Sequence, residues 1–188
     1  MGDSAEPGAL ILGIDPGTRF TGWGIISIAA SEPRAVACDV IAPNAKLRIE
    51  QRLLFIFNEL TAVIARYAPA AVAVEEPFVG ENVRSAMAIG EARTVAMLAA
   101  SIAGLPLHHY APARIKQRVA GYGQGDKTQV REMLRLQLGA DVLPDDLNAT
   151  DALAVALCHA MQHRADELLR AATQPPATGT AVRHRIGG

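Results

Sequence analysis

The order of patterns along this chain predicts an α/β fold, a mixed sheet covered by helices. Three apolar runs at 9–15, 20–29 and 34–41, separated by turn residues, read as an antiparallel meander. A helical period over 46–67 then gives way to the run 71–75, too short and too uniformly apolar for a helix, so it reads as a strand buried on both faces. A helix, a strand and further helices follow, an alternation that layers helices against a sheet.

Each element has its own signal. The first run, Ile11-Leu12-Gly13-Ile14, ends in Asp15 and turns on Pro16-Gly17 into Thr21-Gly22-Trp23-Gly24-Ile25-Ile26, the pattern of a β-hairpin. From Lys46 to Tyr67 the apolar residues Leu47, Leu53, Leu54, Phe57, Leu60, Ile64 and Tyr67 recur at helical spacing. A long helix is expected over 83–104, a fifth strand over 107–110 and a helix over 112–120. Residues 121–125, Gly-Tyr-Gly-Gln-Gly, form a connection, after which Asp126 and Gln129 fit a capping box for the next helix. A final helix spans 149–172. Residues 1–8 are expected to be flexible, 9–173 to form one folded domain, and 174–188, with two prolines, three glycines and no apolar period, to be a disordered tail.

Composition narrows the class. A chain of 188 residues suits a single core, and with 50% hydrophobic but only 4% aromatic residues that core is aliphatic. Cys38 and Cys158 have no metal-ligand spacing and suggest no disulfide framework, so both read as buried thiols. The acidic start lacks the apolar stretch of a signal peptide, and no run approaches the ~20 residues that span a bilayer. A soluble, cytoplasmic protein with no membrane partner is expected. Net charge is −1, but residues 112–137 hold six basic side chains (Arg114, Lys116, Arg118, Lys127, Arg131, Arg135) against Asp126 and Glu132. Such a segment could hold a phosphate backbone, although Arg131 and Arg135, four apart, read as a solvated helix face.

Three carboxylates end or open buried apolar elements: Asp15, Glu75 (or its neighbour Glu76) and Asp151. A carboxylate in such a place is costly unless a cation neutralises it, and a hard divalent metal held by oxygen ligands does so. Asn148 lies three residues before Asp151, on the same helical face near the helix start. Each has an ordinary alternative: a turn Asp bonding its own backbone, a solvated strand end, or Asn148 as the cap of the last helix. Three such positions, far apart in sequence, are harder to dismiss. The histidines carry little, because His159 and His163 lack the glutamate of a zinc-protease pattern, and they read as structural.

From Leu10 to about Ala160 the chain resembles the RuvC-type Holliday junction resolvases, members of the ribonuclease H-like nucleases. The resemblance rests on Gly13-Ile14-Asp15-Pro16-Gly17, Val74-Glu75-Glu76-Pro77-Phe78, Gly90-Glu91-Ala92-Arg93 and Asp151-Ala152-Leu153-Ala154. It implies a ribonuclease H-like five-stranded sheet of order 3-2-1-4-5, and a structure-specific endonuclease that nicks four-way DNA junctions in pairs during recombination and repair. Asp15, Glu75 and Asp151 match three of the family's four metal-binding acids. The fourth position is Asn148, a departure that puts metal affinity and preference in question and favours Mn²⁺ over Mg²⁺. The chemistry needs two divalent ions about 3.5–4 Å apart, one for the attacking water and one for the departing 3′-oxygen. Asp15 is the expected bridging ligand.

The resemblance also implies that Lys127 approaches the scissile phosphate, that Lys116 contacts backbone phosphate, and that Phe78 stacks on an unpaired base. Arg114 and Tyr122 are further expected DNA contacts. A homodimer through the 83–104 helix would match the two-fold symmetry of a junction, and a RuvA–RuvB branch-migration complex is the implied partner. An actin-like ATPase or sugar kinase shares the Asp-x-Gly-Thr loop but needs a second phosphate loop and domain, for which this length has no room. A junction-binding module with weakened cleavage is the other alternative, distinguished by assaying nicking across several metals.

Overall fold

The computed structural model describes residues 8–28, 32–77, 83–121, 127–139 and 144–173. The chain runs β1 (Ala9–Asp15), β2 (Thr21–Ile28), β3 (Pro33–Ile41), α1 (Ile49–Tyr67), β4 (Ala71–Glu75), α2 (Val83–Ile102), β5 (Leu107–Tyr110), α3 (Pro112–Ala120), α4 (Lys127–Leu138) and α5 (Leu147–Thr173). The five strands form one sheet in the order β3-β2-β1-β4-β5. β1 to β3 pair antiparallel, while β4 joins β1, and β5 joins β4, in parallel. Parallel neighbours require a crossover, and α1 and α2 supply the two.

Strand alternation divides the core into two layers. Leu12 and Ile14 of β1, Ile25 of β2, and Val72 and Val74 of β4 pack against Ile56, Leu60 and Ile64 of α1 and Ala96, Ala99 and Ala100 of α2. Ile11, Ile26, Ala73 and Tyr110 face the other way, onto α3, α4 and α5. Helix α5 is the centrepiece of that second layer. Residues 152–160 of this helix are all buried, as expected of a helix apolar around its whole circumference.

Three glycines let α5 lie directly on the sheet. Gly13 and Gly24 face each other across β1 and β2, and Gly22 faces Asp15. A Cβ at Gly13 would stand 2.1 Å from the Ala152 carbonyl oxygen, and one at Gly22 would stand 1.9 Å from that of Asn148. At Gly24 it would meet the Leu153 side chain at 2.8 Å. At Gly13 and Gly22 no side chain fits beneath this helix.

The element order matches the sequence reading, with corrections at three ends. Helix α1 starts at Ile49 rather than Lys46, because Asn44 captures the intervening residues in a turn: its side chain accepts from the Lys46 N–H at 2.9 Å and its carbonyl from the Leu47 N–H at 3.0 Å. Helix α2 stops at Ile102, where Gly104 takes φ +69° and the Leu105 N–H returns to the Ala100 carbonyl. Helix α5 begins at Leu147 because Asp146, not Asn148, is its cap. The Asp146 carboxylate accepts the Asn148 side-chain N–H at 2.9 Å and the Asn148 backbone N–H at 2.8 Å, and these bonds hold its pKa below the ordinary value. Cys158 is buried as expected, whereas Cys38 is only half-buried. The expectations for residues 1–7, for the 174–188 tail and for Asp126 lie outside the described residues.

Candidate active site

Register and pleat place the acidic residues. Asp15 is two residues beyond Gly13, and Glu75 two beyond Ala73, so both carboxylates project on the α5 side of the sheet. The β1–β4 pairing ends at the Ile14–Val74 pair, one residue before them. Asp15 and Glu75 are therefore side by side at the ends of adjacent parallel strands. The glycine contact under Asn148 and Ala152 brings the first turn of α5 over the same strand ends, and Asp151 lies between these two residues in sequence.

The electrostatics match this placement. The Glu75 carboxyl is pushed up to about 8, first by burial, then by the Asp15 and Asp151 charges, and by a side-chain hydrogen bond with Asp15. Lys116, reaching in from α3, acts in the opposite direction. Two acids and one lysine, from β1, α5 and α3, thus act electrostatically on the Glu75 carboxyl of β4, and Asp15 is also hydrogen-bonded to it. Glu75 keeps its proton near neutrality because three like charges in a partly desolvated place cannot all ionise cheaply. In this arrangement Glu75 and Asp15 are hydrogen-bonded to each other, and among the described residues no three His, Cys, Asp or Glu side chains stand close enough together to hold a metal ion.

The turn bearing Asp15 is braced on both sides. The Thr21 hydroxyl donates to the Gly17 carbonyl at 2.7 Å and accepts the Gly17 N–H at 3.3 Å. The Arg52 guanidinium of α1 donates to the Thr18 carbonyl. Asn148 stands on the first turn of α5, its amide nitrogen donating to Asp146 at 2.9 Å. That commitment leaves the amide oxygen as the ligand atom it can offer a cation.

The expected DNA contacts divide. Arg114 and Lys116 are on α3, Lys116 beside the acids and Arg114 on the opposite flank. Lys127 is the first residue of α4, and the expectation for its side chain falls outside the described residues, as do Phe78 and Tyr122. Arg131, read as solvated, instead donates to the Pro144 carbonyl at 3.2 Å and to Asp145 at 3.1 Å, tying α4 to the segment that enters α5. His159 is structural, buried and bonded through Nδ1 to the Tyr110 hydroxyl at 2.8 Å. Sequence reasoning missed the glycine bed of α5. Its signal was present in glycines at alternate positions, Gly22 and Gly24, facing Asp15 and Gly13 across a hairpin.

The comparisons with known proteins converge. Residues 11–159 match the family model described as "Crossover junction endodeoxyribonuclease RuvC". The protein of that name from Roseiflexus sp. (strain RS-1) is 45% identical over 148 residues, which cover 79% of this chain and 88% of the relative. A counterpart from Dehalococcoides mccartyi is 49% identical over 152 residues, 81% of this chain and 91% of that one. Among solved structures, T. thermophilus RuvC in complex with a Holliday junction substrate superposes with a TM-score of 0.79 at 33% identity, over 84% of this chain and 96% of that one.

Proposed function

We propose the chemistry of this site from one premise: the chain belongs to the RuvC family of crossover junction endodeoxyribonucleases. It is a structure-specific DNA endonuclease that resolves four-way (Holliday) junctions. The observation that carries the mechanism is the pairing of Asp15 and Glu75 at adjacent strand ends, with the charges of Asp151 and Lys116 acting on the Glu75 carboxyl.

This donor set fits hard divalent cations. All of its ligand atoms are oxygens, and the crowding that keeps a proton on Glu75 is relieved when positive charge enters. Two such ions, Mg²⁺ or Mn²⁺, would activate water and stabilise the departing 3′-oxygen of the cleaved strand. Asp15 would be one ligand to these ions, since it adjoins Glu75 on the neighbouring strand and lies under the first turn of α5. Glu75, after releasing its proton, and Asp151 would be further ligands. Asn148 would contribute a neutral oxygen at the position where the family resemblance implies an acid. Lys116 stands where it can draw the scissile phosphate toward the carboxylates and offset their mutual repulsion. Lys127, at the start of α4, is assigned to the same phosphate, and Phe78 and Tyr122 to unpaired bases at the crossover.

Paired incision calls for two copies of this site. Helix α2 buries Ala92, Ala96, Ala99 and Ala100 on one side and leaves Met87, Leu98 and Ile102 more than half exposed on the other. That outer apolar arc is the proposed homodimer contact. A RuvA–RuvB branch-migration motor is the proposed protein partner. Among the described residues no helix is long and apolar enough to cross a membrane, and the proposed location is the cytoplasm.

The test is incubation of the purified chain with an end-labelled synthetic four-way junction and a sequence-matched linear duplex, with Mg²⁺ or Mn²⁺. Symmetrical nicks in opposed strands of the junction, and little cutting of the duplex, are expected. Equal cutting of both substrates would contradict structure-specific resolution.

A further inference from the structure

Arg114 and Arg118 stand one turn apart on α3, and both guanidinium groups donate to a single oxygen, Gln162 Oε1 of α5, Arg114 at 2.7 Å. The other end of that amide donates to Asp166 at 2.7 Å. This bond decides the amide's orientation, since turning it over would set its N–H groups against two cations and its oxygen against a carboxylate. Each guanidinium carries five N–H donors, so one neutral oxygen satisfies only a small part of either. Among the described residues neither arginine has a carboxylate salt-bridge partner. Two like charges are thus held together by an amide that leaves their charge intact.

The placement on α3 is equally informative. Residues advance by about 100° per step around a helix. Ile115 and Val119 form the buried face, Lys116 lies on the flank toward the carboxylates, and Arg114 and Arg118 lie on the flank opposite. Gln162 is eleven residues beyond Asp151 on α5, about 16 Å along the helix axis. Arg114 is exposed and Arg118 half-buried, so the pair opens to solvent away from the point of cleavage.

We propose that Arg114 and Arg118, held side by side by Gln162, form a second phosphate-binding subsite that grips the backbone of a junction arm remote from the scissile phosphate. Gln162 acts as a positioning residue: it aligns the two forks without neutralising them, and a planar fork is suited to bidentate contact with phosphate oxygens. The inference rests on the junction-resolving function given above.

Substitution at Gln162 separates this role from a mere tie between α3 and α5. Gln162→Glu keeps an oxygen acceptor for both arginines, so a tie survives, but it places a carboxylate where it competes with phosphate. Junction binding is measured by fluorescence anisotropy in EDTA across a salt titration, for wild type, Gln162→Glu and the Arg114→Ala/Arg118→Ala double variant, with thermal unfolding of each. Loss of the two contacts is expected to lower the slope of log K against log salt by about 2 and to weaken binding on the order of tenfold near physiological salt. Gln162→Glu should show much of the same loss with its unfolding temperature kept. Wild-type affinity and slope in both variants would overturn the subsite while leaving the junction-resolving function standing. A double variant weakened only in step with its unfolding temperature, beside a fully binding Gln162→Glu, would reduce the cluster to a helix tie. Failure of the wild-type chain itself to bind the junction would overturn the function and the subsite together.

Discussion

Glu75 concentrates the physics of the site in one carboxyl group. Its pKa in the folded chain is about 8 against an ordinary 4.5, with burial as the largest cause and Asp15 next. Below the ordinary value both folded and unfolded states hold the proton, so nothing is lost. Between there and about 8 the unfolded chain has released a proton that the folded chain keeps, so metal-free stability must fall as pH rises through this window. Thermal unfolding in EDTA from pH 5 to 9 should show that decline in wild type and a flatter profile in Glu75→Gln, which also loses cleavage; parallel profiles would remove Glu75 from the crowded cluster. Asn148 gives a second prediction at this scale. Mg²⁺ demands near-ideal oxygen geometry and parts with water reluctantly, while Mn²⁺ tolerates mixed ligands better. The wild-type chain should therefore cut faster with Mn²⁺, and Asn148→Asp should raise the Mg²⁺-supported rate. Asp146 already caps α5, so the substitution leaves the cap in place. Identical metal profiles for the two proteins would show that this position does not tune the ions.

Helix α5 is the element on which the geometry depends, and it was only partly legible. Its apolar run announced a buried helix, and Asp151 announced itself at the head of that run. Its start was read at 149 rather than 147 because Asp146 and Asn148 are both good capping residues, and spacing alone does not choose between them. The strands were easier, since β1 and β4 each follow closely on a proline and end in a carboxylate, and their uniform apolarity fits strands covered on both faces. The first two strands also hid their most consequential feature, because isolated glycines in a strand usually read as bulges or weak points. Here Gly13 lies against the Ala152 carbonyl, and no flexible side chain can give way there. Gly13→Ala should lift α5, cost roughly 1–3 kcal/mol of stability or more, and displace Asp151 from Asp15. A displacement of about 1 Å can cost ~10²-fold in rate, so cleavage should fall by that order while junction binding falls less. A Gly13→Ala protein with wild-type unfolding temperature and rate would show that the close contact is dispensable.

The whole molecule is a sheet with two differently used faces. One carries α1 and α2 and ends in an exposed apolar arc; the other carries α3, α4 and α5 and gathers the acids with the basic flank of α3. Such a division suits a dimer joined through α2 that presents both catalytic faces to one junction. Sedimentation at micromolar concentration should find a dimer, and Leu98→Glu, at a residue 51% exposed, should yield a folded monomer. A wild-type monomer at every accessible concentration would contradict paired incision by a homodimer. The arrangement in three dimensions was the part that pattern alone could not supply, because meander, crossover and helices are compatible with several strand orders. Only the parallel pairing of β1 with β4 makes neighbours of Asp15 and Glu75. The central claim is that these carboxylates serve cleavage rather than the contact with DNA. It is tested most directly by comparing Asp15→Asn with wild type on one labelled four-way junction, measuring binding in EDTA and nicking with Mn²⁺ in parallel. The account predicts that nicking by Asp15→Asn disappears while its affinity for the junction stays near that of wild type; wild-type nicking by the variant would contradict it.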